Sequence, residues 1–506
     1  MTGRPEETDV VIVGGGPVGL MLATELRLHD VRTIVLERLL ETSSEWRAAG
    51  VTGQAVQLLD YRGLYARLTG STEPPRPSPG YVFGGFALDL TAVQDNPLYG
   101  LPVMQKDLEE GLATQAVETG ADLRRGQEMR DFAADAEGVT VTLSSGEAIR
   151  GKYLVGCDGA HSAIRKASGI GFPGSTSDDV VFRRAQAALP ASSLSAITGS
   201  AAAAPDAAGA QGPLGYFRLE RGTIALVNIM PGHYIVAVFE WDQPVPPDDQ
   251  PVTFDEIRAA VERVAGAEVP MSPPPAEQSL FPMMRRTRSN TRVAERYRAG
   301  RVLIAGDAAH VHSSIGAPGL NLGLQDAANL GWKLAGAVQG WAPAGLLDTY
   351  ETERRPVAER TAMQTQAQAA LVKPGEGITA IRSVLGELIA EPENAQRIAA
   401  LMAGSDVRYG TAEAGSPVGR FVPDFTLTVD GRETRLAELL RAGRPLLIGA
   451  SEITAVAARW KDRVDLVTAD RQGLLVRPDG YASWSGTDPA GLTDALRTWF
   501  GEPAAP

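Results

Sequence analysis

The 506-residue chain has a single cysteine, Cys157, which excludes an intramolecular disulfide and a cysteine-based zinc site. That usage fits a reducing compartment, and a cytoplasmic location is expected. No run of 18 apolar residues occurs, so neither a transmembrane helix nor a membrane partner is expected. The first ten residues are mostly polar, and the apolar run Val10–Val13 is too short for a signal-peptide core. Positive charge is not in excess. The chain has 48 Lys and Arg against 61 Asp and Glu, a net charge of −13, and a nucleic-acid partner needs clustered cations. No internal repeat is found. What remains is ordinary for a globular protein of two to four domains, with 44% hydrophobic and 22% charged residues.

The most informative stretches are strands that end in glycine turns. Asp9-Val-Val-Ile-Val13 is a continuous apolar run, the pattern of a central parallel strand buried on both faces. Gly14-Gly-Gly-Pro-Val-Gly19 follows, then a helical pattern from Leu20 to His29, then Thr33–Leu36 ending in Glu37. The order is strand, G-x-G-x-x-G, helix, strand, acid, and Glu37 falls 23 residues beyond Gly14, where a ribose-binding carboxylate belongs. Gly14 permits the tight turn, Gly16 lets backbone approach a pyrophosphate, and Gly19 lets helix pack on strand. The helix N-terminus supplies free N–H groups and a partial positive charge. The unit implies dinucleotide binding, but the acid alone does not separate NAD from FAD.

Two later turns repeat the strand–turn–helix order. Lys152–Val155 runs into Gly156-Cys157-Asp158-Gly159, followed by His161 and Arg165. Val302–Ala305 runs into Gly306-Asp307-Ala-Ala-His310, then Gly316-Ala-Pro318-Gly319-Leu320-Asn321 and a helical pattern to about Ala337. Between the turns the character changes. Residues 71–80 read as a linker or crossing loop, Tyr81–Leu90 as a strand of a different sheet, Pro102–Glu118 as a helix with Gln105 near its start, and Asp122–Ile149 as a β-meander. Residues 178–282 contain β-like runs around the Ala/Ser/Gly-rich segment 190–213, which reads as a long loop. Leu346–Leu371 reads as a helix that Pro356 kinks or divides, and 376–404 as one or two more helices. Strand-like and helix-like runs alternate beyond Val422.

The expected fold is α/β and α+β. A Rossmann-like first domain occupies 1–74, 100–177 and 283–405. A mostly antiparallel sheet domain at 75–99 and 178–282 is inserted into it, and a small α/β unit follows at 406–506.

Gly14–Gly19, Cys157-Asp158-Gly159 and Gly306-Asp307, in this order and at these separations, resemble the FAD-dependent aromatic hydroxylases (group A flavoprotein monooxygenases). The run Leu320-Asn-Leu-Gly-Leu-Gln-Asp-Ala-Ala-Asn-Leu-Gly-Trp-Lys-Leu334 is most similar to the branch acting on aromatic polyketides. The resemblance implies that the last unit is thioredoxin-like. It also implies FAD as the cofactor, NADPH or NADH as reductant, O2 as co-substrate, and a polycyclic aromatic small molecule as substrate. Oxygen insertion would pass through a flavin C4a-hydroperoxide. Gly14, Gly16 and Gly19 would line the pyrophosphate. Glu37 and Arg38 would meet the adenosine, and Arg47 and Gln105 the flavin or its phosphates. Asp158, with Arg165, matches the second motif. Asp307 would bind the ribityl chain, and Pro318, Gly319, Leu320 and Asn321 would lie at the ring.

The cofactor carries the hard step, so no catalytic nucleophile or base and no metal is assigned. Only one complete G-x-G-x-x-G unit exists, so the nicotinamide has no Rossmann site of its own. Where many relatives read Pro-x-Gly-Gly-Gln, this chain reads Ser314-Ile-Gly-Ala-Pro318, which leaves Baeyer–Villiger oxidation as an alternative to hydroxylation. His310 and His312 alternate along an extended segment, but no third metal ligand is evident. Tyr81, Phe83, Phe86, Tyr216, Phe217, Phe239 and Trp241 are candidates either for a substrate cavity or for plain core. A monomer or a homodimer is compatible with all of this.

Overall fold

The computed structural model describes residues 4–43, 50–198, 213–244, 246–247, 250–279, 281–411 and 415–503. Arg47 lies outside these residues, as does most of the Ala/Ser/Gly-rich segment. The part of that segment that is described begins with a helix, Ala191–Thr198, rather than a featureless loop.

In chain order, β1 (Val10–Val13) leads into α1 (Pro17–Leu28) and β2 (Thr33–Glu37). A short β3 (Gly50–Thr52) follows, then a hairpin of β4 (Gly80–Phe83) and β5 (Phe86–Asp89), then α2 (Gln105–Glu118) and β6 (Asp122–Arg125). Next come β7 (Tyr153–Gly156), β8 (Val180–Ala188), β9 (Pro213–Leu219), β10 (Gly222–Met230), β11 (His233–Trp241) and α3 (Phe254–Ala265). The chain returns through β12 (Val302–Ile304) to the long helices α4 (Pro318–Gln339) and α5 (Thr349–Leu371), then α6 (Glu376–Ile389). The last unit holds β13 (Leu446–Gly449), β14 (Asp465–Thr468), β15 (Gly473–Val476), β16 (Ala482–Gly486) and α7 (Pro489–Phe500).

The first sheet runs β12-β7-β1-β2-β6, all parallel, with the short strand Arg298–Ala299 antiparallel outside β12. Val10, Val11 and Ile12 are fully buried, as a strand covered on both faces requires. β6 corrects the sequence reading: Asp122–Arg125 pairs in parallel with β2, and only the strands that follow it form the meander. Its composition, Asp-Leu-Arg-Arg, is that of a strand at a sheet edge, so it carries no apolar signal.

The second sheet has the order β9-β10-β11-β8, with Met284–Arg286 beside β8, and every pairing is antiparallel. One face packs on α3: Ile224, Leu226, Val236 and Val238 meet Ala260, Val261 and Val264. Alternation places Tyr216, Phe239, Trp241 and Phe182 on the opposite face. Tyr81 to Leu90 is not one strand of another sheet but the β4–β5 hairpin, paired only with itself and turning through Gly84-Gly85. The link between α5 and α6 is pinned to the second sheet. Thr223 donates to the Val372 carbonyl (2.6 Å), and Arg218 donates to the Gly375 carbonyl (2.8 Å).

α5 passes Pro356 without a break. Pro356 and Thr352 both lie on its exposed face, so water can take the carbonyl that the missing N–H leaves free.

The last unit orders its strands β14-β13-β15-β16, with one parallel and two antiparallel pairings. It joins the first domain through buried polar groups. Arg62 donates to the carbonyls of Leu440 (2.9 Å) and Pro478 (2.6 Å), Arg477 pairs with Glu353 (2.6 Å), and Asn329 donates to Asp479 (2.9 Å). Among the described residues no helix is long and apolar enough to cross a membrane.

Candidate functional site

The three glycine turns meet at the carboxyl ends of β1, β7 and β12, where parallel α/β sheets open a ligand crevice. The glycines of the first turn are there for different reasons. Gly14 has φ +109°, and a Cβ on it would stand 2.2 Å from the Cys157 carbonyl oxygen. A Cβ on Gly19 would stand 2.0 Å from the Gly14 carbonyl oxygen. Both are therefore demanded by packing. Around Gly16 a Cβ meets nothing within 4 Å, so the glycine faces open space at the head of α1. The first bond of α1, Leu20 N–H to the Gly16 carbonyl (3.0 Å), leaves the preceding N–H groups for a ligand, and no acidic residue occupies that first turn.

Glu37 is fixed beside this turn. One carboxylate oxygen accepts from Gly15 N–H (2.7 Å) and the other from Leu39 N–H (2.8 Å). Each oxygen keeps a lone pair for a hydroxyl donor. Arg38 is exposed, and Gln105, part-buried, begins α2.

At the second turn, one Asp158 oxygen accepts from the N–H groups of Ala163 (2.7 Å) and Ile164 (3.2 Å), while the other is buried with no hydrogen-bond partner among the described residues. Arg165 is used structurally. It donates to the carbonyls of Ala308 (2.7 Å) and Ala160 (3.0 Å) and lies 3.7 Å over the Phe172 ring, so it ties the second turn to the third. Burial raises the Cys157 thiol well above its ordinary range, so it is a neutral thiol.

In the third turn Asp307 is exposed. Ala317 takes a left-handed conformation (φ 48°), and Pro318 opens α4. Among the described residues no protein acceptor meets the N–H of Gly319, Leu320 or Asn321. No acidic side chain stands in this first turn, so the positive end of α4 faces outward unneutralised. The Asn321 side chain turns inward to Thr52.

Behind the turn lies a polar network that the sequence reading missed. His310 Nε2 is 2.6 Å from Asp326, whose carboxylate also accepts from Arg354 (2.8 Å) and Gly306 N–H (3.3 Å). Arg354 continues to the Tyr409 hydroxyl (2.9 Å). The available signal was Asp326, Asn329 and Lys333 at helical spacing in an otherwise apolar run, which is a buried polar face. These contacts give His310 a structural partner, and His312 donates from Nδ1 to its neighbour's carbonyl, Ser313 (3.0 Å). No group of three or more metal-ligating side chains occurs among the described residues.

Burial pushes the Asp326 carboxyl up, but His310 and Arg354 outweigh it, and the net shift is downward. A depressed folded-state value contributes stability above the unfolded carboxyl range that is lost as pH falls through the folded one. Acid titration of Asp326→Asn should therefore show a smaller loss of stability below about pH 4 than the parent protein shows, read by unfolding midpoints. Equal acid slopes would refute the linkage.

The aromatic candidates divide. Phe217 packs toward α3, and Phe83 sits in a core with Leu371 and Ile389. Tyr216, Phe239 and Trp241 share the face of the second sheet turned away from α3, with Phe182 4.9 Å from Phe239. In the row beside them, Tyr216, Ala225 and Ala237 stand in register across β9, β10 and β11. Two alanines beside aromatic rings give this face low relief, and Arg184 of β8 continues the row in register.

The chain resembles known proteins along nearly its whole length. Residues 7–365 match a model described as an FAD binding domain, and residues 416–503 match one described as aromatic-ring hydroxylase, C-terminal. The chain is 41% identical to a 12-dehydrotetracycline 5-monooxygenase/anhydrotetracycline 6-monooxygenase of Streptomyces rimosus, covering 98% of this chain and 99% of that one. It is 37% identical to a rifampicin monooxygenase of Streptomyces venezuelae, at the same coverage of both. Among solved structures, an anhydrotetracycline hydroxylase from Streptomyces rimosus superposes with a TM-score of 0.84 at 39% identity, over 98% of this chain and all of that one.

Proposed function

The chain belongs to the FAD-dependent aromatic-ring hydroxylases, and from that membership we propose that it inserts one oxygen atom of O2 into a polycyclic, polyketide-type aromatic substrate, with NADPH or NADH as reductant. That it is an FAD-dependent aromatic monooxygenase follows from the family. The reductant, the substrate and the residue roles are the proposal. The observation that carries it is the meeting of two uncapped helix N-termini, α1 and α4: a Cβ on Gly323 of α4 would stand 2.6 Å from Val18 in the first turn of α1.

The crevice fits the cofactor. Open space at Gly16 suits a pyrophosphate between Gly14 and Gly19, and Glu37, already oriented, suits a ribose with Arg38 beside it. The partnerless Asp158 oxygen and the exposed Asp307 offer acceptors to hydroxyl groups, and Gln105 and Arg47 complete the set that the family uses. Bound FAD, once reduced, supplies the activation of O2. The protein's part is electrostatic and steric. The N–H groups of Gly319, Leu320 and Asn321 would favour negative charge at the ring. The flat face of Tyr216, Ala225, Ala237 and Phe239 takes a planar aromatic, as the tetracycline and rifampicin names of the relatives suggest. Neither the family description nor those names favours the Baeyer–Villiger alternative. The last unit is read as thioredoxin-like from its strand order, but it has no cysteine and so no redox part in the reaction.

The test is NADPH oxidation by the purified yellow protein with and without a tetracyclic phenol. Stimulation by the phenol, with a product one oxygen atom heavier, is expected. Absence of flavin and of any rate would refute the proposal.

A further inference from the structure

Among the described residues the β4–β5 hairpin pairs with no other strand, so side chains and not a sheet must hold its turn. Two side chains take the polar groups of that turn. Gly84 N–H donates to Gln368 Oε1 on α5 (3.2 Å). Arg382 of α6 donates to the carbonyls of Gly84 (2.6 Å), Gly85 (3.2 Å) and Leu371 (3.1 Å), and its guanidinium lies 4.0 Å over the Phe86 ring. Held in this way, the turn rests against the second sheet at the aromatic face. A Cβ on Gly85 would stand 3.3 Å from Tyr216 Cβ.

Gln368, which is fully buried, has a second neighbour. A Cβ on Gly316 would stand 2.9 Å from Gln368 Nε2 and 3.2 Å from its Oε1, so the amide lies directly against the turn that leads into α4. That turn is strained. Gly316 (φ 74°) and Ala317 (φ 48°) are left-handed in succession, and for alanine that conformation is unfavourable. Such a turn keeps its shape only where its neighbours leave it no other. Asn321 is one of them, with its Nδ2 3.3 Å from the Ala317 carbonyl. Gln368 is the other. Its own Nε2 is directed to Met402 Sδ (3.6 Å), a weak acceptor, so its firmest bond is the one from Gly84 N–H. One buried amide therefore touches the hairpin turn and the α4 turn together, although the two turns lie more than 200 residues apart in sequence.

We propose that Gln368 is a positioning residue: it holds the turn leading into α4 and the β4–β5 hairpin at a fixed separation, and so sets where an aromatic substrate on the Tyr216 face lies relative to the flavin. The inference rests on the reading that the first turn of α4 meets the flavin ring and that the substrate lies on that face. Displacement of Gly316 presses on the Gln368 amide, the amide releases Gly84 N–H, and the hairpin turn moves against Tyr216. The same chain of contacts runs in the other direction, from the hairpin to the α4 turn.

The experiment is amide hydrogen exchange of the FAD-loaded full chain, read on segments 80–89 and 313–320, together with calorimetric binding of 1,8-dihydroxyanthraquinone. Neither measurement needs turnover. Gln368→Met keeps the length of the side chain and removes the amide oxygen that Gly84 N–H uses. It should speed exchange in both segments and weaken the probe, each about tenfold, the effect of one buried donor left unsatisfied. Gly316→Ala places its new carbon against Gln368 and does not touch the hairpin, yet it should speed exchange in 80–89 and weaken the probe to a similar degree. The two changes together should alter the hairpin no more than either alone, because both act through one side chain. A residue that merely supported the fold would leave the hairpin unmoved by Gly316→Ala. Parent-like exchange in 80–89 and parent-like probe affinity in that variant would overturn the proposal and leave the oxygenase reading in place. Failure of the parent protein to take up FAD or to bind the probe would overturn the proposal together with the reading it rests on. If Gly316→Ala does not fold or does not hold FAD, Gln368→Met decides alone, and faster exchange confined to the hairpin would overturn the proposal.

Discussion

Gly16→Ala is expected to fold like the parent protein and to lose FAD affinity by roughly 10- to 100-fold, the effect of about 1–3 kcal/mol of overpacking. The extra carbon meets no protein atom within 4 Å, and the backbone there (φ −78°) is one that alanine adopts freely. Stability of the flavin-free protein should stay within about 1 kcal/mol, a poorer N-cap being partly offset by a less flexible unfolded chain. Gly19→Ala should behave in the opposite way. Its new carbon would press on the Gly14 carbonyl oxygen at 2.0 Å, and both partners are backbone, so α1 must move off the sheet. The flavin-free protein should then lose about 3 kcal/mol or more. Thermal unfolding of the flavin-free variants and fluorescence titration with FAD separate the two effects. If Gly16→Ala binds FAD as tightly as the parent does, the first glycine turn is not the pyrophosphate site.

That pair of glycines shows how far the sequence could be read. The spacing marked all three glycines of the first turn alike, because a motif records which positions need glycine and not why. The structure separates the two that backbone excludes from the one that faces open space. The central strand β1 was legible because burial on both faces leaves only apolar choices. β6 was not, since an edge strand is free to be Asp-Leu-Arg-Arg and its parallel partner lies about 90 residues upstream. Pro356 misled for a related reason. Its effect depends on whether water reaches the carbonyl one turn back, which is a property of the packed surface. Thr52 carried no local signal at all. Its hydrogen bonds are to Asn321, 269 residues away, and only the folded chain brings them together.

Glu353→Gln is expected to cost about 3–5 kcal/mol, the usual consequence of removing one partner from a buried ion pair. The Glu353 carboxylate bonds Arg477 through both oxygens (2.6 and 2.8 Å) and Lys333 through one (2.7 Å), and all three groups are nearly inaccessible to water. Burial alone would raise its carboxyl, but Arg477 and Lys333 together hold it well below the usual range. Lys333, lowered by burial to about 8 despite Glu353, is still an ammonium at neutral pH. With Asp479 the set holds two cations and two anions, and the amide leaves two cations facing one carboxylate. The loss should not stay local. Lys333 and Asn329 lie on α4, and Arg477 and Asp479 on the last unit, so the network fastens that unit to the helix whose other end is proposed to meet the flavin. Lower urea midpoints should therefore be accompanied by weaker FAD retention. Lys333→Met placed on top of Glu353→Gln removes the surplus cation, and it should recover about 0.5–3 kcal/mol of what the single change lost. A double variant less stable than Glu353→Gln would mean that packing around Lys333, and not charge balance, holds the two units together.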